Sequence, residues 1–248
     1  MKIAILSDIH GNLVALKAVL QDIERRKVDQ GVYLGDLAAT GPQPCEVIEL
    51  IQTMKWPCVM GNTDETLAKN IPDQLEQSEM PEEDQRRTLE LDEWTRKQLK
   101  NSHREYLSTF RPRIMFTPEN GPTFMCYHGS PRSNHERIFA TTPDGELTKY
   151  LEGCDADIFA GGHTHMQMFR RFRSSVIVNP GSVGLPFQED SSGRIRMPAY
   201  AEYAIVSFTR KPFSLEFVSV PYSLGDLERA VRNSGLPDSD WWLSDWYE

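Results

Sequence analysis

Residues 2–27 read KIAILSDIHGNLVALKAVLQDIERRK, and the pattern changes at the loop SDIHGN. Before it, KIAIL is a short apolar run suited to a buried strand. After it, Leu13, Leu16, Leu20 and Ile23 recur at steps of three and four, with Lys17, Gln21, Glu24 and Arg25 on the wet side. That spacing predicts an amphipathic helix, with Asn12 placed as its N-cap. GVYLGD (31–36) followed by PCEVIELIQTM (44–54) repeats the unit, Pro44 fitting a first helical turn, and WPCVMGN (56–62) reads as a third strand ending in Gly-Asn. This order predicts right-handed crossovers and a mainly parallel sheet core. Ligands of such sheets bind beyond the carboxyl ends of the strands.

The span 65–110 reads as a helical insertion, with TLELDEWTRKQL its clearest amphipathic stretch. It either crosses one side of the active face or forms a solvated hairpin. From residue 113 short strands dominate: RIMF, PTFMCYHGSP, DIFAGGHTH, MFRRF, SVIVNPGSVG, YAEYAIVSF and LEFVSVPY, with GELTKYLEG the one clear helix among them. Closely spaced strands favour hairpins and a second sheet. The expected architecture is α/β, two layered sheets with flanking helices, in one domain over 1–248. The tail DSDWWLSDWYE carries three tryptophans, too aromatic for a free end, and docks on the body or on a partner.

A chain of 248 residues buries enough apolar surface to fold without staples. It has no apolar run near the roughly 20 residues a membrane span requires, and its N-terminus reaches Asp8 too soon for a signal peptide. The expectation is a cytoplasmic protein with no membrane partner. Cysteines 45, 58, 126 and 154 lack CxxC spacing and suit reduced, packed thiols. A net charge of -9 argues against a broad nucleic-acid surface, which rests on Lys and Arg neutralising phosphates. A small anion could still be drawn to a local cation.

The chemistry lies in the loops. Strand candidates end in Asp8 with His10, in Asp36, in Asn62, in His128, and in the pair His163 and His165 after Gly161-Gly162, where glycine permits a tight turn. Each residue alone reads as an ordinary turn former. Together they place two carboxylates, four imidazoles and an amide at one sheet edge, a costly cluster unless a cation holds it. Such donors, without thiolate, suit Mn, Fe, Zn, Co or Ni, and disfavour Ca and structural zinc. Seven donors are too many for one such ion and suit two sharing a carboxylate.

DIH (8–10), GD (35–36), GN (61–62), HGS (128–130) and GGHTH (161–165), in that order, resemble the five-block signature of the calcineurin-like metallophosphoesterase superfamily. SDIHGN and VNPGSVGLP look most like its compact bacterial and archaeal phosphodiesterase branch. The resemblance implies a four-layered αββα sandwich with two mixed sheets. It also implies a binuclear centre, Mn first among the candidate ions, with Asp8, His10 and His165 on one ion, Asn62, His128 and His163 on the other, and Asp36 bridging. The implied activity is hydrolysis of a small organic or nucleotide phosphate ester, a diester above all, by a hydroxide bridging the ions. The alternatives are a metal-binding interaction scaffold and a protein phosphatase.

One position departs from the pattern. Many relatives carry histidine after Gly-Asn as the acid that protonates the leaving group, whereas this chain reads GNTD, with Thr63 there. Threonine is no acid near neutral pH, so diesters with acidic leaving groups are expected to react best. His103 and His135 are conceivable replacements, and both read as polar surface. Asn12 and Arg132 are weaker candidates for contacting the phosphate, and the loop 179–186 reads as a support beneath the histidines.

Overall fold

The computed structural model describes residues 1–72, 81–191, 193–210 and 212–248. In chain order the elements are β1 (Lys2–Leu6), α1 (Leu13–Arg25), β2 (Gln30–Tyr33), α2 (Pro44–Met54), α3 (Asn62–Lys69), α4 (Glu82–Gln98), α5 (Asn101–Leu107), β3 (Arg113–Phe116) and β4 (Phe124–Tyr127). They continue with α6 (Asp144–Tyr150), β5 (Ile158–Ala160), β6 (Met168–Phe172), β7 (Ser175–Asn179), β8 (Gln188–Glu189), β9 (Ile195–Pro198), β10 (Tyr200–Ser207), β11 (Ser214–Pro221), α7 (Leu224–Ser234), α8 (Ser239–Leu243) and β12 (Trp246–Tyr247).

One sheet runs β11-β10-β1-β2, a second β3-β4-β5-β7-β6, and a small third β12-β9-β8. Side chains alternate along a strand, and that period sorts the core into layers. Ile3, Ile5, Val32, Ala204 and Val206 face Phe124, Cys126, Ile158, Ala160 and Val178 between the large sheets. The alternate residues Ala4, Leu6, Tyr33, Tyr203 and Ile205 pack outward against α1 and α2 through Leu16, Val19, Val47 and Ile48. Met125, Tyr127, Phe159 and Ile177 pack outward against α6 through Leu147. The result is the expected αββα sandwich.

Three details differ from the sequence expectation. The sheets are mixed, as the family resemblance implies, and not mainly parallel as the first three units read: β1 pairs parallel with β2 but antiparallel with β10, because the late hairpin β10–β11 supplies the other half of that sheet. WPCVMGN forms no strand beyond the bridges Tyr33–Cys58 and Val59–Arg111. Pro57 has no N–H to extend the pairing, and Gly61 already caps α3. Helix α7 is a second clear helix after residue 113, capped by Ser223, whose side chain accepts from Asp226 N, and stopped by Gly235 at φ 76°.

The described part of the span 65–110 carries the end of α3 and all of α4 and α5, joined by short non-helical stretches; residues 73–80 lie outside the described residues. The tryptophan tail docks on the body. Trp242 and Trp246 pack with Leu91 of α4 and with Leu227 and Val231 of α7, and Trp242 Nε1 donates to Thr40 O at 2.8 Å. Among the described residues no helix is long and apolar enough to cross a membrane.

Candidate metal centre

All seven donor residues named from the sequence meet at one rim of the sandwich. Asp8 and His10 follow β1, Asp36 follows β2, Asn62 opens α3, His128 follows β4, and His163 and His165 follow β5. Asp8, His10 and His165 form one group and Asp36, His128 and His163 a second, the ligand atoms of each lying within 4.8 Å of one another. Asp36 joins the groups: its Oδ2 is 3.4 Å from His128 Nε2 and 3.9 Å from His10 Nε2. Asn62 Oδ1 lies 3.0 Å from His128 Nε2.

Five of these residues occupy the left-handed region of the backbone: Asp8 (φ 55°), His10 (47°), Asp36 (56°), His163 (67°) and His165 (58°). Side chains rarely adopt it, at a cost of about 1–3 kcal/mol each, and such strain concentrates at functional sites. Here the turn in GGHTH is made by the histidines, not by the glycines. Gly161 and Gly162 serve close packing instead: an added Cβ would stand 2.4 Å from the Tyr127 ring and 1.9 Å from Ser7 Oγ, respectively. Crossed backbone bonds hold the strained loops, with Ile9 N and His10 N donating to Asp36 O (2.9 and 3.0 Å) and Gly162 N to His128 O (2.8 Å).

Ring orientation follows from the second nitrogens. The Nδ1 atoms of His10, His128 and His165 donate to the carbonyls of Ala39 (3.1 Å), Leu34 (2.8 Å) and Leu185 (2.7 Å). A carbonyl only accepts, so these contacts fix the N–H on Nδ1 and turn each Nε2 inward. His10 Nε2 and His165 Nε2 then face one another at 3.1 Å. Asp8 Oδ1 is buried without a hydrogen-bond partner, 3.4 Å from His165 Nε2. Opposed lone pairs beside an orphaned carboxylate oxygen are unfavourable unless a proton or a cation lies among them. The donor set therefore fits a divalent ion in each group.

The charges of these side chains show the same tension. Burial alone would raise the Asp8 carboxyl, but the His165 and His128 imidazoles outweigh it and hold the group at about 2. Asp36 is also held well below the usual carboxylate range, chiefly by His128 working against burial. Burial disfavours the charged form of His128, yet Asp36 and Asp8 lift it to about 9. His165 is raised by Asp8 against burial. His163, desolvated and beside His128, falls to about 3, and His10 is lowered by burial and by His165.

Two supports escaped the sequence reading or were seen only in outline. Asp64 is fully buried and accepts from Asp36 N (2.7 Å), Leu37 N (3.0 Å) and Gly61 N (3.1 Å), which fastens the Asp36 loop to the start of α3. Its signal was available: an acidic residue three positions after the N-cap Gly61 is the capping-box position. Burial and the neighbouring Asp36 push its carboxyl up to about 7 against those three donors. The loop 179–186 does lie against the metal-side loops. Ser182 Oγ donates to Asp8 O (2.7 Å), Gly184 N donates to the same oxygen (2.9 Å), and Asn179 Nδ2 donates to Gly162 O (2.7 Å).

The remaining candidates have other partners. Asn12 is fully buried, caps α1 through Ala15 N (3.0 Å) and donates to Gly184 O (3.1 Å). Arg132 forms an ion pair with Glu136 and lies over the Tyr150 ring at 5.2 Å. Thr63 N donates to Asp36 Oδ1 (3.0 Å), while its buried hydroxyl has no partner. His135 is exposed, as expected. His103 is not: it is buried, with Nδ1 accepting from Lys100 N (3.3 Å) and Nε2 3.1 Å from Glu49 Oε1, because α5 packs its inner face on α2.

The profile of the calcineurin-like phosphoesterase superfamily domain matches residues 1–198. The chain belongs to that superfamily. As a member it is a metal-dependent phosphoesterase, and the two side-chain groups described above are its potential metal-ligand clusters. A metallophosphoesterase from Sphaerobacter thermophilus has a similar crystal structure, with a TM-score of 0.74 and 28% identity, covering 99% of this chain and 97% of that one. A hypothetical protein from Pyrococcus horikoshii shares the fold at TM-score 0.76 and 21% identity, covering 96% and 94%. An uncharacterised protein of Methanocaldococcus jannaschii is 28% identical over 260 residues, spanning 98% of this chain and 96% of its own length.

Proposed function

We propose that this calcineurin-like phosphoesterase is a phosphodiesterase acting on a small organic or nucleotide diester with two transition-metal ions. Asp8, His10 and His165 would hold one ion, Asn62, His128 and His163 the other, and Asp36 would serve both. Mn is the first candidate, and Fe, Zn, Ni and Co suit the same donors. The observation that carries the reading is Asp36 Oδ2 standing between His10 and His128, whose Nε2 atoms both face it.

Bound there, the ions would neutralise phosphoryl oxygens and acidify a water for in-line attack. Everything else falls to the chain. The carbonyls of Ala39, Leu34 and Leu185 hold three imidazoles in the tautomer that presents a lone pair inward. Asp64 and Ser182 keep the Asp36 and Asp8 loops in register. Thr63 stands beside Asp36 with a hydroxyl too weakly acidic to act as an acid near neutral pH, so the leaving group is protonated by water or departs as a stable anion. That favours diesters with acidic leaving groups over alkyl monoesters. Asn12 shapes the first loop, and Arg132 reaches a phosphate only by releasing Glu136.

The test is turnover of bis(p-nitrophenyl) phosphate against p-nitrophenyl phosphate after loading with Mn²⁺. Metal-dependent cleavage that is faster on the diester is expected. Activity that persists in a chelator, or faster cleavage of the monoester, overturns the proposal. Metal uptake without turnover of either ester would make the chain a binding scaffold.

A further inference from the structure

Phe187 is a large apolar side chain left 41% exposed beside a centre built of carboxylates and imidazoles. Its ring lies nearly parallel over the His165 imidazole, with centroids 4.4 Å apart and planes inclined by 21°. One face is thus committed to a candidate metal ligand and much of the remaining surface is open. Met166, the residue after His165, is 53% exposed and adds a second apolar group at the same rim.

The ring is rigidly mounted. Two residues earlier, Leu185 N donates to Ser182 Oγ (2.8 Å) and Leu185 O accepts from His165 Nδ1 (2.7 Å). One residue later, Gln188 opens β8, which pairs with β9, and β9 pairs with β12 of the tryptophan tail. Tyr247 Oη donates to Gln188 Oε1 at 2.5 Å. The docked C-terminus therefore braces the segment that presents Phe187. A pre-positioned aromatic face offers contact area at little entropic cost.

We infer that Phe187 forms an aromatic subsite stacking a flat ester group of the substrate, an aryl ring or a nucleobase, bonded to the phosphorus held at the two clusters. The inference rests on the proposed phosphodiesterase reading and narrows its substrate class. The ring covers one face of His165, so an ester group extending past His165 would come against it. Stacking tolerates any planar π-system. The competing account, in which Phe187 merely covers His165, predicts no discrimination among phosphate esters.

Calorimetric binding of methyl phosphate, phenyl phosphate and thymidine 5′-monophosphate to the Mn-loaded protein separates them. Wild type should bind at least one ring-bearing ester about tenfold more tightly than methyl phosphate. Phe187→Ala should bring that ester to the methyl phosphate level while leaving methyl phosphate and Mn²⁺ binding unchanged, and Phe187→Trp should restore the preference. Tighter thymidine 5′-monophosphate identifies a nucleotide substrate, and tighter phenyl phosphate an aryl ester. Equal weakening of all three in Phe187→Ala, or no ring preference in wild type, overturns the subsite while the phosphodiesterase reading stands. Failure of all three esters to bind at all removes both.

Discussion

Asp36→Asn tests the centre at its joint. The side chain is buried, its Oδ2 is 3.4 Å from His128 Nε2, and its Oδ1 accepts from Thr63 N. With an effective dielectric constant of about 20, a full charge at that distance is worth about 5 kcal/mol. This is enough to overcome burial and lift His128 to about 9. Asparagine keeps the shape, can still accept from Thr63 N, and tolerates the φ of 56° at this position, so the fold should survive. What is lost is the charge, together with the acceptor that Oδ2 presents to His128. In the metal-free variant, burial then acts on His128 with Asp8, 4.0 Å away, and the Leu34 carbonyl left to oppose it. Its midpoint should drop from about 9 to below about 7, followed by histidine Cε1–H resonances in an NMR titration. The raised His128 contributes stability that is complete below its unfolded value of 6.5 and disappears as pH rises through about 9. Metal-free wild type should therefore lose stability over that window more steeply than the variant. On the proposed assignment, the loaded protein would lose the anionic ligand its two ions share, and hydrolysis should fall more than tenfold. A His128 that still titrates near 9, or a variant retaining more than about a tenth of the rate, would refute the reasoning.

Asp64→Ala leaves three buried N–H groups without their carboxylate and should cost about 3–5 kcal/mol, a loss of roughly 10 °C in Tm for a chain of this size, with weaker metal binding; a Tm within about 2 °C of wild type would show that the clamp is dispensable. Metal uptake must displace the proton that His128 carries below about 9, so affinity should rise with pH toward 9 and binding should release protons at neutral pH. Calorimetry in buffers of different ionisation enthalpy reads this directly, and uptake without proton release contradicts it. Thr63→His should raise monoesterase activity, because it restores a group able to protonate a poor leaving oxygen beside Asp36. An unchanged monoester rate would show that the missing acid does not limit the reaction.

Local chemistry made much of the protein legible. The steps of Leu13, Leu16, Leu20 and Ile23 gave α1 with its Asn12 cap, and Pro44 marked the start of α2. The donors were legible because six of them follow strands, where the chain itself announces a turn, and Asn62 follows the Gly61 that caps α3. What misled was information that a window of residues does not hold. WPCVMGN has the composition of a strand, but pairing depends on a neighbour, and only Tyr33 and Arg111 are placed to bridge it. His103 sits among polar residues in the sequence, yet α5 turns it onto α2. The parallel order inferred from the first three units was interrupted by β10, which arrives from the far end of the chain.

The sequence by itself determined which atoms are available: seven oxygen and nitrogen donors without thiolate, in loops short enough to bring them to strand ends, with a threonine where an acid is usual. Tertiary structure alone decided where those atoms point. The Nδ1 contacts to Ala39, Leu34 and Leu185, the Asp64 clamp, and the Phe187 ring over His165 join residues as far apart as 94 positions. Such contacts are made by packing two sheets face to face, and no periodicity within a single segment encodes the geometry between segments.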